Sequence, residues 1–235
     1  MSIDKHRFKL MLRRAAELWL EKASILSDID SKFGDGDHGV TIGKIAKLFL
    51  IRTDAWDEEL PEGQCSAAAT TTSGRLGRGQ AESLSHLSLH DFIEALGDGV
   101  MGISGGSAGP LYGTLVGGLA EPLNEETTID GQMLKRMLAA SLMAMSEITK
   151  ARRGDKTMMD ALIPAVEAAL AAADDPARIL SAAAQAAAAG AEATREMISK
   201  FGRARSYGKK TLGAPDAGAV STALLFQGLH DGFTQ

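Results

Sequence analysis

Asp30-Ser31-Lys32-Phe33-Gly34-Asp35-Gly36-Asp37-His38-Gly39 separates two apolar patterns of helical period and crowds three carboxylates into one glycine-flanked turn. Like charges this close repel, so a folded chain keeps them together when a positive species sits among them. Asp oxygens are hard ligands and the single Cys65 lies far along the chain, which points to Mg²⁺ rather than to a soft metal. The residues alone leave a second reading open, a solvated Asp/Gly turn capping the following helix. An EF-hand is excluded: counted from Asp35, the loop position that needs Gly holds Val40 and the one that needs Glu holds Ala46. A Walker A loop is excluded too, because Gly39 to Ile45 has the wrong spacing and no Ser or Thr follows Lys44. Mg²⁺ keeps waters and takes a few carboxylates plus substrate phosphates, so the cluster calls for a phosphate-binding element elsewhere.

Gly102-Ile-Ser-Gly-Gly106-Ser107-Ala108-Gly109-Pro110-Leu-Tyr-Gly113 is that element. Small residues let backbone approach a ligand, and Pro110 suits the first position of a following helix. Free N–H groups at a helix start, with Ser104 and Ser107 beside them, suit a phosphate. Taken alone, the stretch also reads as a flexible loop or a glycine-mediated helix contact. Two basic loops complete the set. Lys150, Arg152, Arg153 and Lys156 surround Asp155, and Lys200, Arg203, Arg205, Lys209 and Lys210 precede Gly213-Ala-Pro-Asp216-Ala-Gly218. In a chain of net charge −5, such loops are more than a solubility device.

The rest of the pattern is helical. Phe8, Met11, Leu12, Ala15, Leu18 and Trp19 make one stripe, and Ile42, Ile45, Ala46 and Phe49 make the next. Asp130 is placed to cap a helix through Leu134, Leu138, Leu142 and Met145. Further helices are expected over Thr157 to Ala173, the Ala-rich Pro176 to Ile198, and Ala217 to Phe233. No run of strand period interrupts them. The stretch from about 52 to 90 is the weak one, with Trp56 and Leu60 as anchors and a small, polar, glycine-rich middle. It reads as a surface insertion, with a lid or partner-contacting loop as the functional alternative.

At 235 residues a single domain, 1–235, is the expected partition. One cysteine excludes an internal disulfide framework and fits a reducing cytoplasm. The start, Met-Ser-Ile-Asp-Lys-His-Arg, lacks the apolar core of a signal peptide, and no apolar run is long enough for a membrane span. The acidic balance argues against non-specific nucleic-acid binding.

The four polar segments, in order, resemble the ADP-binding L subunit (DAK2-type domain) of the dihydroxyacetone kinase family. Its pattern is a GDxDHG turn, a GGxSGPLxG loop, a GDKTM motif and a GRASYLGxRSxGxxDPGAxS segment. Gly34 to Gly39, Gly105 to Gly113, Gly154 to Met158, and Gly202 to Ser221 match it. The resemblance runs from Asp30 to the C-terminus. Departures are Arg153 for Pro, the inverted Ser107-Ala108, Arg205-Ser206-Tyr207 for Ser-Tyr-Leu, Ala217 for Pro, and a longer 52–90 connection.

The resemblance implies an all-α, single-domain barrel of antiparallel helices with the nucleotide and metal at one end. It implies that Asp30, Asp35 and Asp37 hold two Mg²⁺ ions on the phosphates of ADP or ATP. His38, Gly39 and Thr41 would lie beside the nucleotide, and Ser107, Ala108 and Gly109 would cradle phosphate. Thr149 and Met158 would flank the base or ribose, while Arg203, Asp216, Ala217 and Gly218 would close the site. The activity implied is phosphoryl transfer to dihydroxyacetone or another short ketose. In the family the ketose is held by a separate subunit or domain, so the chain is expected to be a phosphotransferase that works only with such a partner. Two rivals stand beside this. The nucleotide stays bound as a coenzyme, rephosphorylated by a phosphotransferase-system donor, or the chain is a non-enzymatic nucleotide-binding regulatory subunit.

Overall fold

The computed structural model describes residues 2–56 and 84–235. The greater part of the expected 52–90 insertion, with Leu60 and Cys65, lies outside them. A two-residue strand β1 (Ile3–Asp4) leads into α1 (Lys5–Asp30), and α2 (His38–Ala55) follows the acidic turn. Then come α3 (Leu89–Met101), α4 (Ala108–Gly117), β2 (Thr128–Ile129) and α5 (Gly131–Ile148). α6 (Met159–Ala171), α7 (Pro176–Ala193), a 3-10 segment (Arg203–Thr211) and α8 (Ala217–Thr234) complete the chain.

The helices close into a ring. α1 packs on α2 and α8, α2 meets α3 and α4, and α4 meets α5. Next α5 meets α6, α6 packs on α7, and α7 on α8. Burial of one stripe per helix produces this. All six residues of the first stripe and all four of the second are buried. Inside, Phe8, Met11, Phe49, Leu138, Val166 and Phe226 are among the apolar residues around a small enclosed cavity of about 30 Å³. β1 and β2 pair antiparallel, Ile3 against Ile129, a two-residue clasp too short to show any period in sequence. Trp56 is fully buried, stacked on Phe92 at 3.7 Å between centroids, and donates through Nε1 to the Leu87 carbonyl. It therefore anchors both described edges of the 57–83 stretch.

Several expected boundaries shift. Asp130 does cap α5, accepting from the Met133 N–H at 2.7 Å. Pro110 is not the first residue of α4, which starts at Ala108. As the third residue Pro110 still lies where its missing N–H has no helical partner to lose. α6 begins at Met159 rather than Thr157, because the Thr157 hydroxyl accepts from the Met159 N–H and thus acts ahead of the helix. α7 ends at Ala193, short of Ile198, where Thr194 turns its hydroxyl back onto the Ala191 carbonyl. α3 belongs to no expected helix. Ser88 caps it and Phe92, Ile93, Leu96 and Val100 form its buried face, but Gly97 and Gly99 weaken the signal.

Candidate functional site

At one end of the ring the starts of α2, α4, α6 and α8 converge, each preceded by one of the polar segments. The Thr41 side chain lies against Gly105, and Lys44 Nζ donates to the Ser104 carbonyl at 3.1 Å, joining α2 to the glycine loop. His38 Nε2 lies 2.8 Å from Ser221 Oγ, joining α2 to α8. Met158 packs on Gly218, joining α6 to α8. Tyr112, on α4, reaches Ser221 Oγ at 2.7 Å.

Capping sets α2 and α4 apart from α8 and from most helices away from the site. Asp4, Ser88, Asp130, Asp175 and Asp216 each bond an N–H in the first turn of their helix. Asp37 and Ser107 occupy the same position before α2 and α4 and make no such bond. No described side chain caps these two starts, so their first N–H groups face the site with the positive end of the helix behind them. Gly106, at φ +56°, has no atom within 4 Å of where a Cβ would stand, so backbone here is open to a ligand. Gly39 is different: a Cβ there would strike the Ala23 carbonyl of α1, so close helix approach alone requires this glycine.

The three turn carboxylates gather as expected. One oxygen from each of Asp30, Asp35 and Asp37 lies within 4.8 Å of the others. Asp30 Oδ2 also accepts from the Gly36 N–H at 2.8 Å, which folds the turn back over the end of α1. Arg203 forms an ion pair with Asp35, and Tyr207 packs edge-on against Phe33 at 5.3 Å, so the second basic loop lies over the turn. The donor set is all oxygen and anionic, with a cation already drawn to it. These residues fit Mg²⁺.

Asp216 is half-buried under the site and pushed up to about 7, first by desolvation and then by Asp160, against the pull of the Ala219 N–H. Its carboxylate caps α8 at 2.8 Å, while Gly218 and Ala217 form the turn beyond it. Burial lowers His38, with Asp30 and the Ala217 backbone opposing. Thr149 ends α5 in an extended conformation, and its hydroxyl accepts from the Ala151 N–H, with no described bond into the rest of the site.

Lys156 is the residue whose placement the basic-loop reading missed. It is 3 % exposed, and its Nζ donates to the carbonyls of Thr194, Thr211, Ala214 and Met197 at 2.6 to 3.2 Å. Its φ of +60° is unusual for a side-chain-bearing residue. It ties the end of α7, the 3-10 segment and the entry to α8 into one knot and does not face solvent. Asp160 organises the same motif, accepting from the Gly154 and Thr157 N–H groups. The other cations of the two basic loops, Lys150, Arg152, Arg153, Lys200, Arg203, Arg205, Lys209 and Lys210, are exposed.

The DAK2 domain profile matches residues 61–231, most of the chain. The chain belongs to the DAK2 domain family. The matched span starts after the Asp30–Gly39 turn, so membership does not rest on the acidic cluster. Similarity also extends beyond that span. The chain is 29% identical over 230 residues to the ADP-binding subunit DhaL of PEP-dependent dihydroxyacetone kinase 1 of Listeria innocua, covering 97% of both chains. It is 32% identical to a dihydroxyacetone kinase of Komagataella pastoris, covering 99% of this chain and 35% of that one. The all-α family fold is matched by the dihydroxyacetone kinase of C. freundii, with a TM-score of 0.66, 23% identity, 95% of this chain and 34% of that one. A structure of the C. freundii enzyme in complex with AMP-PNP and Mg²⁺ superposes with a TM-score of 0.64 at 24% identity. Among the described residues no helix is long and apolar enough to cross a membrane.

Proposed function

We propose that this chain is the nucleotide-binding, phosphoryl-donating component of a two-component short-ketose kinase. The observation that carries this is the meeting of the uncapped starts of α2 and α4 beside the three turn carboxylates. Backbone N–H groups of His38 to Val40 and of Ala108 and Gly109 would take phosphate oxygens. Asp30, Asp35 and Asp37 would hold Mg²⁺, which when bound neutralises phosphate charge and polarises the phosphoryl group. Arg203, now paired with Asp35, is within reach of the same charge and would turn to the phosphates. Met158 and Gly218 would supply a wall for the base or ribose. Phosphoryl transfer asks mainly for such positioning and charge compensation, and these residues supply both.

Support for the partner comes from the exposed cations. Arg152, Arg153, Lys200, Arg205, Lys209 and Lys210 put positive charge at the site end of an acidic chain. An acidic rim on the ketose-holding subunit would complement it. Mixing the chain with Mg·ATP, a short ketose and a substrate-binding subunit of this family, and following ADP release, tests the reading. The chain alone should stay near background, because acceptor positioning accounts for several kcal/mol of barrier. Addition of the subunit should restore turnover, and Arg205→Glu or Lys209→Glu should weaken that turnover more than ADP binding. Robust ketose phosphorylation by the chain alone overturns the two-component reading.

A second reading is favoured by the Listeria relative, a PEP-dependent kinase subunit matched over nearly its whole length. There ADP would remain bound and be rephosphorylated in place by a phosphotransferase-system donor. Retention of ADP through gel filtration, with exchange slower than turnover, supports it. Rapid exchange with free ATP supports direct donation.

A further inference from the structure

We infer that Lys156 stands in for a bound monovalent cation: its ammonium fills a cage of backbone carbonyls, and as a positioning residue it holds Arg203 over the acidic turn. The consequence for nucleotide binding rests on the function proposed above, whereas the cage does not. Lys156 Nζ lies 2.6 Å from the Ala214 oxygen, 2.7 Å from those of Thr194 and Thr211, and 3.2 Å from that of Met197. An ammonium has three N–H groups, so four acceptors exceed what it can bond one to one. A shell of carbonyl oxygens in place of water is the environment that suits an ion such as K⁺. The oxygens also carry the right polarity. Thr194 follows α7, Met197 follows a short 3-10 turn (Thr194–Glu196), and Thr211 is the last residue of the 3-10 segment. Three of the four carbonyls thus come from the negative ends of helical pieces.

The cage lies where a loop begins and ends. The Ser199 N–H donates to the Thr211 hydroxyl at 3.1 Å, so the chain from 199 to 211 leaves the cage and returns to it. Lys200 fastens the start of this loop to the neighbour of Lys156. Its N–H donates to the Asp155 carbonyl at 3.1 Å, and its Nζ pairs with the Asp155 carboxylate at 2.7 Å. On the loop stand Arg203, paired with Asp35, and Tyr207, packed on Phe33. The Asp216 N–H donates to the Thr194 hydroxyl at 2.9 Å, so the same point sets the entry to α8. Without a cation the four oxygens would face one another unpaired, and the loop they anchor would lose its place over the turn.

Lys156→Gly removes the side chain at a positive φ that glycine adopts without strain, and leaves the cage open to an added ion. The melting temperature of the full chain is measured in choline, sodium, potassium and ammonium chloride at one ionic strength. The variant should melt several degrees below wild type in choline and recover saturably in potassium or ammonium, with wild type indifferent to the salt. Mg·ADP affinity should follow, about tenfold weaker in choline and restored by the ion, the worth of one contact to a charged group. With Arg203→Ala added, the ion should still raise the melting temperature but no longer change ADP affinity, a coupling that a purely structural knot would not show. If Lys156→Gly folds in no salt, ammonium ¹⁵N spectra of wild type give the reading. A Lys156 ammonium protected from exchange with water supports the cage, and one that exchanges freely overturns it. No recovery specific to potassium or ammonium in folded Lys156→Gly, or ADP affinity restored equally without Arg203, overturns the inference. Should none of these proteins bind ADP, the proposed function fails while the melting temperatures still decide the cage.

Discussion

Asp216 holds its proton in the folded chain up to about pH 7, whereas an ordinary Asp loses it near 3.8. The stability linked to this proton is therefore complete below about pH 4 and is lost as pH rises towards 7. Asp216→Asn removes the titration and keeps a good helix cap. Against wild type, the variant should gain unfolding free energy steadily between about pH 4 and 7 and hold that gain above it. Urea unfolding at pH 5 and pH 8 measures the difference; parallel curves for the two proteins would show that Asp216 titrates normally. His38, lowered by burial, acts in the opposite sense and is common to both proteins. Gly106 makes the second point at this scale. Its positive φ means that Val would strain the loop whatever it binds, so the informative change is Gly106→Asn, a residue that tolerates this region. Melting temperature should hold within a few degrees while ADP affinity falls about tenfold, about 1.4 kcal/mol. A loss of melting temperature with affinity intact would make the loop a packing feature.

Among the elements, the closing loop depends on a residue that looked like surface charge. Lys156 stands in a run of cations, and sequence offers no sign that its ammonium turns inward to four carbonyls. Only the fold brings Thr194, Met197, Thr211 and Ala214 to one point. Lys156→Met would leave those acceptors buried and unpaired, at about 3 kcal/mol or more. That lowers the melting temperature by roughly 6–12 °C in a chain of this size. Faster proteolysis between Lys200 and Lys210 should accompany it; an unchanged melting temperature would contradict the knot. Other elements were legible for physical reasons. The stripes from Phe8 to Trp19 and Ile42 to Phe49 show helical period because one face of each packs inward. Asp130 announced its helix because the cap is local. What was hidden was non-local: the Trp56–Phe92 stack, the Tyr112–Ser221–His38 chain, and the Asp216 N–H bond to the Thr194 hydroxyl just beyond the end of α7. The site followed the same division. The Asp turn and glycine loop carry local geometry and were readable, whereas the inward turn of the His38 ring was not.

For the whole molecule, closing the ring brings four polar segments from the length of the chain to one end. The uncapped starts of α2 and α4 then face the acidic turn, with Arg203 as its cation among the described residues. Charge repulsion within the turn should be relieved by metal, or by removing a carboxylate. Asp37→Asn is thus expected to leave the metal-free fold at least as stable as wild type, while abolishing metal-dependent nucleotide binding. Binding of a Mg-nucleotide at this end is measured by calorimetric titration of ADP into the purified chain, with Mg²⁺ and with chelator. Saturable binding is expected with Mg²⁺, lost with chelator and equally lost in Asp35→Asn and Asp37→Asn proteins of unchanged helicity. Full ADP affinity in chelator, or in both variants, would contradict it.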